Sequence, residues 1–471
     1  MSTIDDAADD GWRAMLEGDR LPRFLVLCFG LWLHAASSML AATTLPRGVI
    51  DIGGHQLIGW AFSLYQLGSI LAGAATALLV TRFGLRSALL GAASVYGVGC
   101  CVCALAPDMP ILLTGRLLQG IGGGGLVALN YVALSRLFPN ALLPRLIALT
   151  SAIWSVSAFC GPLIGGSFAS VGLWRLAFWA FALQALGLLL SAAKLLPNEQ
   201  PRSTTDATFP GMRLVVLAAA VLLVSAAGAE VDVLVSPLLG VAGIALLWLF
   251  IKLDESTSRS NMFPSGVLNI NTPVGAGLAM VFAASAATMS FLVYGAFLLD
   301  VLHAVSPLTA GYILAMESVA WGVAAVAFSP APQSLEKWLI RTGVAVVTAG
   351  VLGLMLCMRS GELWMILPWA ICQGAGFGMM WGFVARRIVA ASPAQAQASS
   401  ALPTTQQIGF AVGAAACGIV ANTAGFAEGV SVDAAASVAF WVFAAFLPLL
   451  LFAIVAAWKF TGQTYPVSDH A

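Results

Sequence analysis

Charge is what this sequence has least of. Of 471 residues, 9% are Asp, Glu, Lys or Arg and 60% are hydrophobic, whereas an ordinary soluble domain carries roughly 25% charged residues. That scarcity excludes a soluble globular chain and implies an all-α polytopic membrane protein. The 21 basic and 21 acidic residues cancel, so nothing favours nucleic acid or an anionic surface as partner. Histidine is sparse too: His34, His55, His303 and His470 are scattered, without the clustered His, Asp or Cys that a lipid-acting membrane enzyme, a metal site or a cofactor site would need. A paired cysteine framework is also missing. Cys28, Cys100, Cys101, Cys103, Cys160, Cys357, Cys372 and Cys417 fall inside or at the ends of apolar runs and read as small core residues rather than disulfides or ligands. The first 22 residues are polar and acidic (Asp5, Asp6, Asp9, Asp10), lacking the basic start and apolar middle of a cleavable signal. The first apolar run is therefore expected to direct insertion.

What the sequence has is long apolar runs. Read as spanning helices of about 20 residues, they number fourteen. Six lie at 24–45, 57–80, 87–106, 111–133, 146–170 and 174–195; eight more lie at 211–229, 234–253, 272–299, 308–330, 338–358, 362–385, 399–424 and 434–459. Lys and Arg collect in cytoplasmic loops, which tests the count. With the N-terminus inside, seventeen basic residues fall on the inner side. Only Arg47, Arg175 and Arg359 fall outside, and Arg116 is left in the membrane. Both termini are therefore expected to be cytoplasmic. The fourth helix carries Gln119-Gly120-Ile121-Gly122 and the twelfth Gln373-Gly374-Ala375-Gly376. If 211–253 is an insert, these are matching helices of two halves, which predicts a 6+2+6 layout with the substrate site between the halves. The expected divisions are an N-terminal segment 1–23, a first bundle 24–195, a linker 196–210, two inserted helices 211–253, a linker 254–271, a second bundle 272–459 and a tail 460–471.

Several residues stand out chemically. Arg116 lies about a turn and a half into its helix, where an unpaired charge costs up to ~2.5–3.5 kcal/mol. It is only about 7 to 8 Å deep, so snorkelling to the surface competes with an interior role. Small residues at every fourth position mark helix contact faces: Ser157, Gly161, Gly165 and Ala169 on the fifth helix, Gly120, Gly124 and Ala128 on the fourth. Pro162 removes a backbone donor mid-helix and invites either a flexible point or a static kink. Glu317 is roughly 14 Å from the outer start of its helix; a carboxyl there is expected to be protonated for part of any cycle, or to be a neutral structural group. His34, midway along the first helix, is a second candidate for proton coupling, or a hydrogen-bonded core residue. Asp300 reads as a solvated helix end. Candidate substrate-binding residues are Tyr65, Gln66, Asn130, Trp154, Tyr294, Trp321, Gln373, Trp381 and Gln407, since cavities for amphipathic ligands are apolar with a few polar groups.

At these residues the chain resembles the major facilitator superfamily, and within it the fourteen-helix drug:proton antiporters. Leu112–Gly120 is similar to the family's fourth-helix motif, with Arg116, Gln119 and Gly120 in register. Ser157–Gly166, with Gly161-Pro162 and Gly165-Gly166, is similar to its fifth-helix antiporter motif. Trp174-Arg175, Ser306–Gly311 and Ser399–Gly413 are in the family's style. The resemblance implies a proton-coupled exporter of small amphipathic molecules in the cytoplasmic (inner) membrane, working by alternating access as a single chain, with Arg116 tied to proton coupling. An importer or facilitator on the same fold is the alternative. No adaptor protein is legible in the sequence. The family's loop after the second helix reads Gly-x-x-x-Asp-Arg-x-Gly-x-Arg; here Ala77 and Thr81 replace the Gly and Asp, leaving Arg82, Gly84 and Arg86. Ser37 stands near the place of the usual first-helix acid. Both departures weaken the expectation of a cationic-drug pump and leave Glu317 as the main intramembrane counter-charge.

Overall fold

The computed structural model describes residues 19–139, 142–198, 210–228, 234–256, 261–359, 362–392, 395–428 and 431–463. Most of the N-terminal segment, most of the first linker, residues 257–260 of the second linker and most of the tail lie outside these residues, as do Arg13, Arg202 and Arg259.

The described chain is helical: α1 Arg20–Ile52, α2 Ile58–Phe83, α3 Leu85–Leu105, α4 Met109–Leu137, α5 Leu143–Ser170, α6 Trp174–Leu195, α7 Gly211–Ala226, α8 Val235–Glu255, α9 Pro273–His303, α10 Pro307–Phe328, α11 Glu336–Cys357, α12 Leu363–Ala391, α13 Gln395–Thr423, α14 Val432–Ala444 and α15 Leu447–Gly462. Thirteen helical stretches among the described residues are long and apolar enough to cross a membrane, with α14 and α15 counted as one. Helix α7, at 16 residues, is the shorter apolar one; about 24 Å of rise falls short of a hydrocarbon core of about 30 Å. The expected helices 1 to 13 each recur within a few residues. The longest discrepancies, in α1 and α12, are turns bearing Arg47 and Asp51, and Arg386 and Arg387, that stay helical past the membrane-length apolar run. The expected last span instead breaks at Ala445-Phe446, where Pro448 in the first turn of α15 has no N–H to continue the ladder.

Several helix starts are capped by a short polar side chain. The Asp108 carboxylate accepts from Ile111 N, the Thr272 hydroxyl from Gly275 N and the Ser306 hydroxyl from Thr309 N, each followed by proline in the first turn. Gly84, between α2 and α3, holds φ +80°, a left-handed turn that disfavours any side chain.

Helix packing repeats with an offset of eight. α1 packs on α5 as α9 does on α13; α2 on α4 as α10 on α12; α3 on α4 as α11 on α12. Glycines make these approaches close. A Cβ at Gly161 would meet Ala36 O at 2.9 Å and one at Gly165 Leu40 O at 3.1 Å, while on α13 one at Gly409 would meet Phe282 O at 2.9 Å and one at Gly413 Ala286 O at 2.3 Å. The two halves of the chain meet along α2–α13 and α5–α10, and α7 sits on the α2–α13 seam.

Two ends can be told apart. At the α1–α2 loop end, Trp174 Nε1 donates to Asp51 Oδ2 (2.7 Å), and Arg175 reaches both Asp51 (3.4 Å) and Ala106 O (3.0 Å). At the opposite, α2–α3 loop end, Arg86 donates to Ala193 O and Arg23 to Leu195 O. There the Glu336 carboxylate binds Arg386 (2.8 Å) and Arg387 (2.9 Å), and Arg387 also donates to Phe460 O and Gln463 O.

Candidate transport site

The interior of the first half is built around Arg116. Its side chain is fully buried, which decides against snorkelling. The guanidinium Nη1 donates to Gln119 Oε1 (2.7 Å), Nε donates to Ala61 O (3.3 Å), and Cζ lies 4.2 Å from the centroid of the Tyr65 ring. No carboxylate pairs with it among the described residues. A dipolar amide, a carbonyl and an aromatic face spread its charge instead. Gln119, three residues along the same helix face, passes the network to Cys100 through Nε2 (3.1 Å).

Tyr65 carries the network across to α1. Its hydroxyl lies 2.9 Å from His34 O and 2.9 Å from His34 Nδ1, and the two rings stack at 5.3 Å. Trp154 of α5 meets the other side of His34 edge-on at 5.8 Å and keeps 38% of its surface exposed. Gly123 makes room: a Cβ there would lie 2.7 Å from His34 Nδ1.

The second half presents Glu317, half-buried on α10. It is the one acidic side chain among the described residues far from both ends of its helix. On the facing helix α12, the Gln373 amide Nε2 donates to Thr288 O at 3.5 Å and its Oε1 has no partner. The backbones touch: a Cβ at Gly374 would fall 1.8 Å from Glu317 O. One at Gly120 would fall 2.1 Å from Tyr65 O. Tyr65 and Glu317 therefore occupy matching places, each seated on the glycine of a Gln-Gly pair. Trp321, one turn beyond Glu317, stacks on Phe377 at 4.8 Å and meets Trp381 at 5.6 Å, giving an aromatic wall beside the carboxyl.

Not every candidate joins this set. Tyr294 is fully buried against Phe426 (5.4 Å) and belongs to the core of α9. Asn130 is fully buried on α4 with neither amide atom bonded. Gln66 and Gln407 each keep an unpartnered Oε1. Sequence reasoning missed Ser157 as a polar group, together with Ser285 and Thr405; all three carry buried hydroxyls without partners. Isolated serines and threonines in helices leave no pattern that a one-dimensional reading can weigh.

The antiporter-like glycines form the closed seam at the α1–α2 loop end. Gly161 and Gly165 face α1, whereas a Cβ at Gly166 would meet Leu308 Cα of α10 at 2.6 Å. Pro162 Cβ and Thr43 Cγ2 lie 2.7 and 2.5 Å from where a Gly311 Cβ would stand. Helix α5 runs unbroken through Pro162 from Leu143 to Ser170. Ser63 Oγ donates to Ala411 O (2.7 Å) on the other seam. Asp300, expected to be a solvated end, pairs with Arg47 at 3.7 Å and joins α9 to α1. The loop motif makes no such bridge among the described residues: Thr81 Oγ1 donates back to Leu78 O (2.9 Å), Arg82 is exposed, and Arg86 ties α3 to α6.

Two sets of helices packed alike and meeting along two seams is an architecture that transporters share. The sequence profile of the Major Facilitator Superfamily matches residues 27–329. The chain belongs to the major facilitator superfamily. A probable multidrug-efflux transporter of Mycobacterium tuberculosis (strain ATCC 25618 / H37Rv) is 31% identical over 473 aligned positions, covering 96% of this chain and 97% of the relative. Azole resistance protein 1 of Saccharomyces cerevisiae is 29% identical over 170 residues, 35% of this chain and 28% of that protein. Among solved structures, a D-xylose-proton symporter superposes with TM-score 0.66 at 15% identity, covering 95% of this chain and 98% of that one. A peptide transporter bound to sulfate superposes with TM-score 0.67 at 15% identity, covering 94% and 96%. At such identities these neighbours establish the facilitator fold alone. The chain is a multi-pass membrane protein of a family that moves small molecules.

Proposed function

We propose that the protein is a proton-coupled exporter of small amphipathic, drug-like molecules or metabolites across the cytoplasmic membrane, acting as a single chain by alternating access. The observation that carries this is Glu317, a lone mid-helix carboxyl beside an aromatic wall, in a chain alignable end to end with a probable multidrug-efflux transporter. Glu317 exchanges a proton for substrate. When protonated it donates to Gln373 Oε1, which has no other partner; when ionised it accepts from the substrate. Arg116 holds a fixed positive charge in the opposite half and biases that exchange electrostatically.

The layout is proposed as 6+2+6, with α7 and α8 inserted and α7 completing fourteen crossings. Support comes from the eight-helix offset in packing and from the matched glycine contacts. The α1–α2 loop end is taken as external and both termini as cytoplasmic, because the helix ends opposite it carry most of the basic residues. In this state the external end is closed along the Gly161–Gly166 seam.

Reconstitution into vesicles with an imposed pH gradient and a lumenal pH dye tests coupling. A panel of amphipathic compounds is expected to include some that dissipate the gradient as they move against it. No compound doing so would refute proton exchange. In cells, expression is expected to deplete such compounds; accumulation would establish the importer instead.

A further inference from the structure

The Tyr65 hydroxyl has two partners on His34, the carbonyl oxygen and Nδ1, each at 2.9 Å. A phenol has one hydrogen to give, and a carbonyl can only accept. Both bonds form together in one way: Tyr65 donates to His34 O, and the Nδ1–H of His34 donates to Tyr65 Oη. The neutral ring is then left with Nε2 as a lone-pair acceptor. Nε2 has no hydrogen-bond partner among the described residues.

Arg116 and Gly123 are both compatible with that arrangement. Arg116 rests on the face of the Tyr65 ring at 4.2 Å and is held there by Gln119 and Ala61 O, so the phenol cannot swing away from α1. Gly123 leaves no side chain between α4 and Nδ1. Trp154 lies edge-on to His34 at 5.8 Å and keeps 38% of its surface exposed. No acidic side chain is bonded to this group among the described residues, so nothing there compensates a second positive charge beside Arg116.

From this geometry we infer that His34 is a recognition residue rather than a proton carrier: it presents Nε2 as a fixed acceptor to an N–H or O–H group of the substrate, with Tyr65 as the positioning residue that sets its tautomer. The inference rests on the proposal that substrate binds between the halves. The substrate class is thereby narrowed to amphipathic molecules with a hydrogen-bond donor on the part that faces α1, the opposite end meeting Glu317 and the Trp321–Trp381 wall. Repeat-related places on α2 and α10 thus serve unlike tasks. Tyr65 fixes an acceptor through its neighbour, and Glu317 acts directly.

Nitrogen NMR of protein with labelled imidazoles reads the tautomer without any substrate. The His34→Phe variant, which keeps a ring between Tyr65 and Trp154, identifies the His34 signals. At neutral pH the expected form is Nδ1 protonated and Nε2 bare, and Tyr65→Phe is expected to populate the Nε2–H form. An Nε2–H tautomer or a doubly protonated ring in the wild type would overturn the inference. Transport is then compared for a rhodamine methyl ester bearing free amino groups and its N-tetramethylated analogue. His34→Phe is expected to raise KM for the amino dye about three- to ten-fold, the worth of one hydrogen bond, with the maximal rate retained and the tetramethyl dye unaffected. His34→Gln, whose amide oxygen reaches toward the Nε2 position, is expected to restore the difference in part. Equal losses on both dyes would overturn the assignment. Failure of the wild type to move either dye would count against the proposed substrate class, and the NMR result would decide the tautomer by itself.

Discussion

A buried arginine without a carboxylate partner among the described residues owes its place to geometry more than to charge. Lysine has the same charge but cannot make the two-directional set from Nε to Ala61 O and from Nη1 to Gln119 Oε1. Arg116→Lys is expected to lower transport at least about ten-fold at unchanged membrane abundance, from the loss of one charge-assisted hydrogen bond worth about 1.5–3 kcal/mol. Dye efflux at matched expression measures this, and wild-type efflux would show that only the charge matters. The glycine contacts make an equally local claim. A Cβ at Gly374 would stand 1.8 Å from Glu317 O, whereas one at Gly240 meets nothing within 4 Å. Gly374→Ala is expected to destabilise the purified protein by about 1–3 kcal/mol, as overpacking does, and Gly240→Ala to change it little. Thermal unfolding in detergent compares the two.

At the scale of elements, helices were legible and their partners less so. Apolar runs of membrane length located thirteen of the spans because lipid demands about 20 apolar residues whatever lies beside them. The Gln-Gly echo between α4 and α12 was visible because both glycines follow the same polar residue. The matching Gly161/Gly165 and Gly409/Gly413 contacts on α1 and α9 were not, since α13 has other small residues at similar spacing and only packing selects the pair. The Arg47–Asp300 link could not be read either, because nothing in one dimension brings residues on α1 and α9 together. Helices α7 and α8 show a third case. Asp254, fully buried, binds Arg213 and accepts from the Met262 and Phe263 amides, a staple at the end of both helices. Removing one partner of a buried pair strands the other's charge. Arg213→Ala is expected to cost about 3–5 kcal/mol and to expose α7–α8 first, read as faster amide exchange confined to those helices. Uniform exchange would show that the staple holds the whole molecule.

The whole molecule is two sets of helices meeting on α2–α13 and α5–α10, tight along the α1–α2 loop end. The arrangement requires the Asp51 and Arg175 side of the membrane to be opposite to the Arg82 and Arg86 side. Reporter fusions after Gly53 are expected to be external and after Gly84 cytoplasmic; the reverse would invert the proposed direction of transport. Sequence alone reached the family and singled out Arg116 for its place in the membrane, because the fourth- and fifth-helix motifs are local. It did not reach the matched seating of Tyr65 on Gly120 and Glu317 on Gly374, which exists only once two halves fold alike. The most direct measurement is of Glu317→Gln in vesicles carrying a pH gradient, beside wild type at equal reconstituted amount. The account predicts loss of gradient-driven transport, because a glutamine cannot release a proton, with substrate binding retained. Undiminished gradient-driven transport by Glu317→Gln would contradict it.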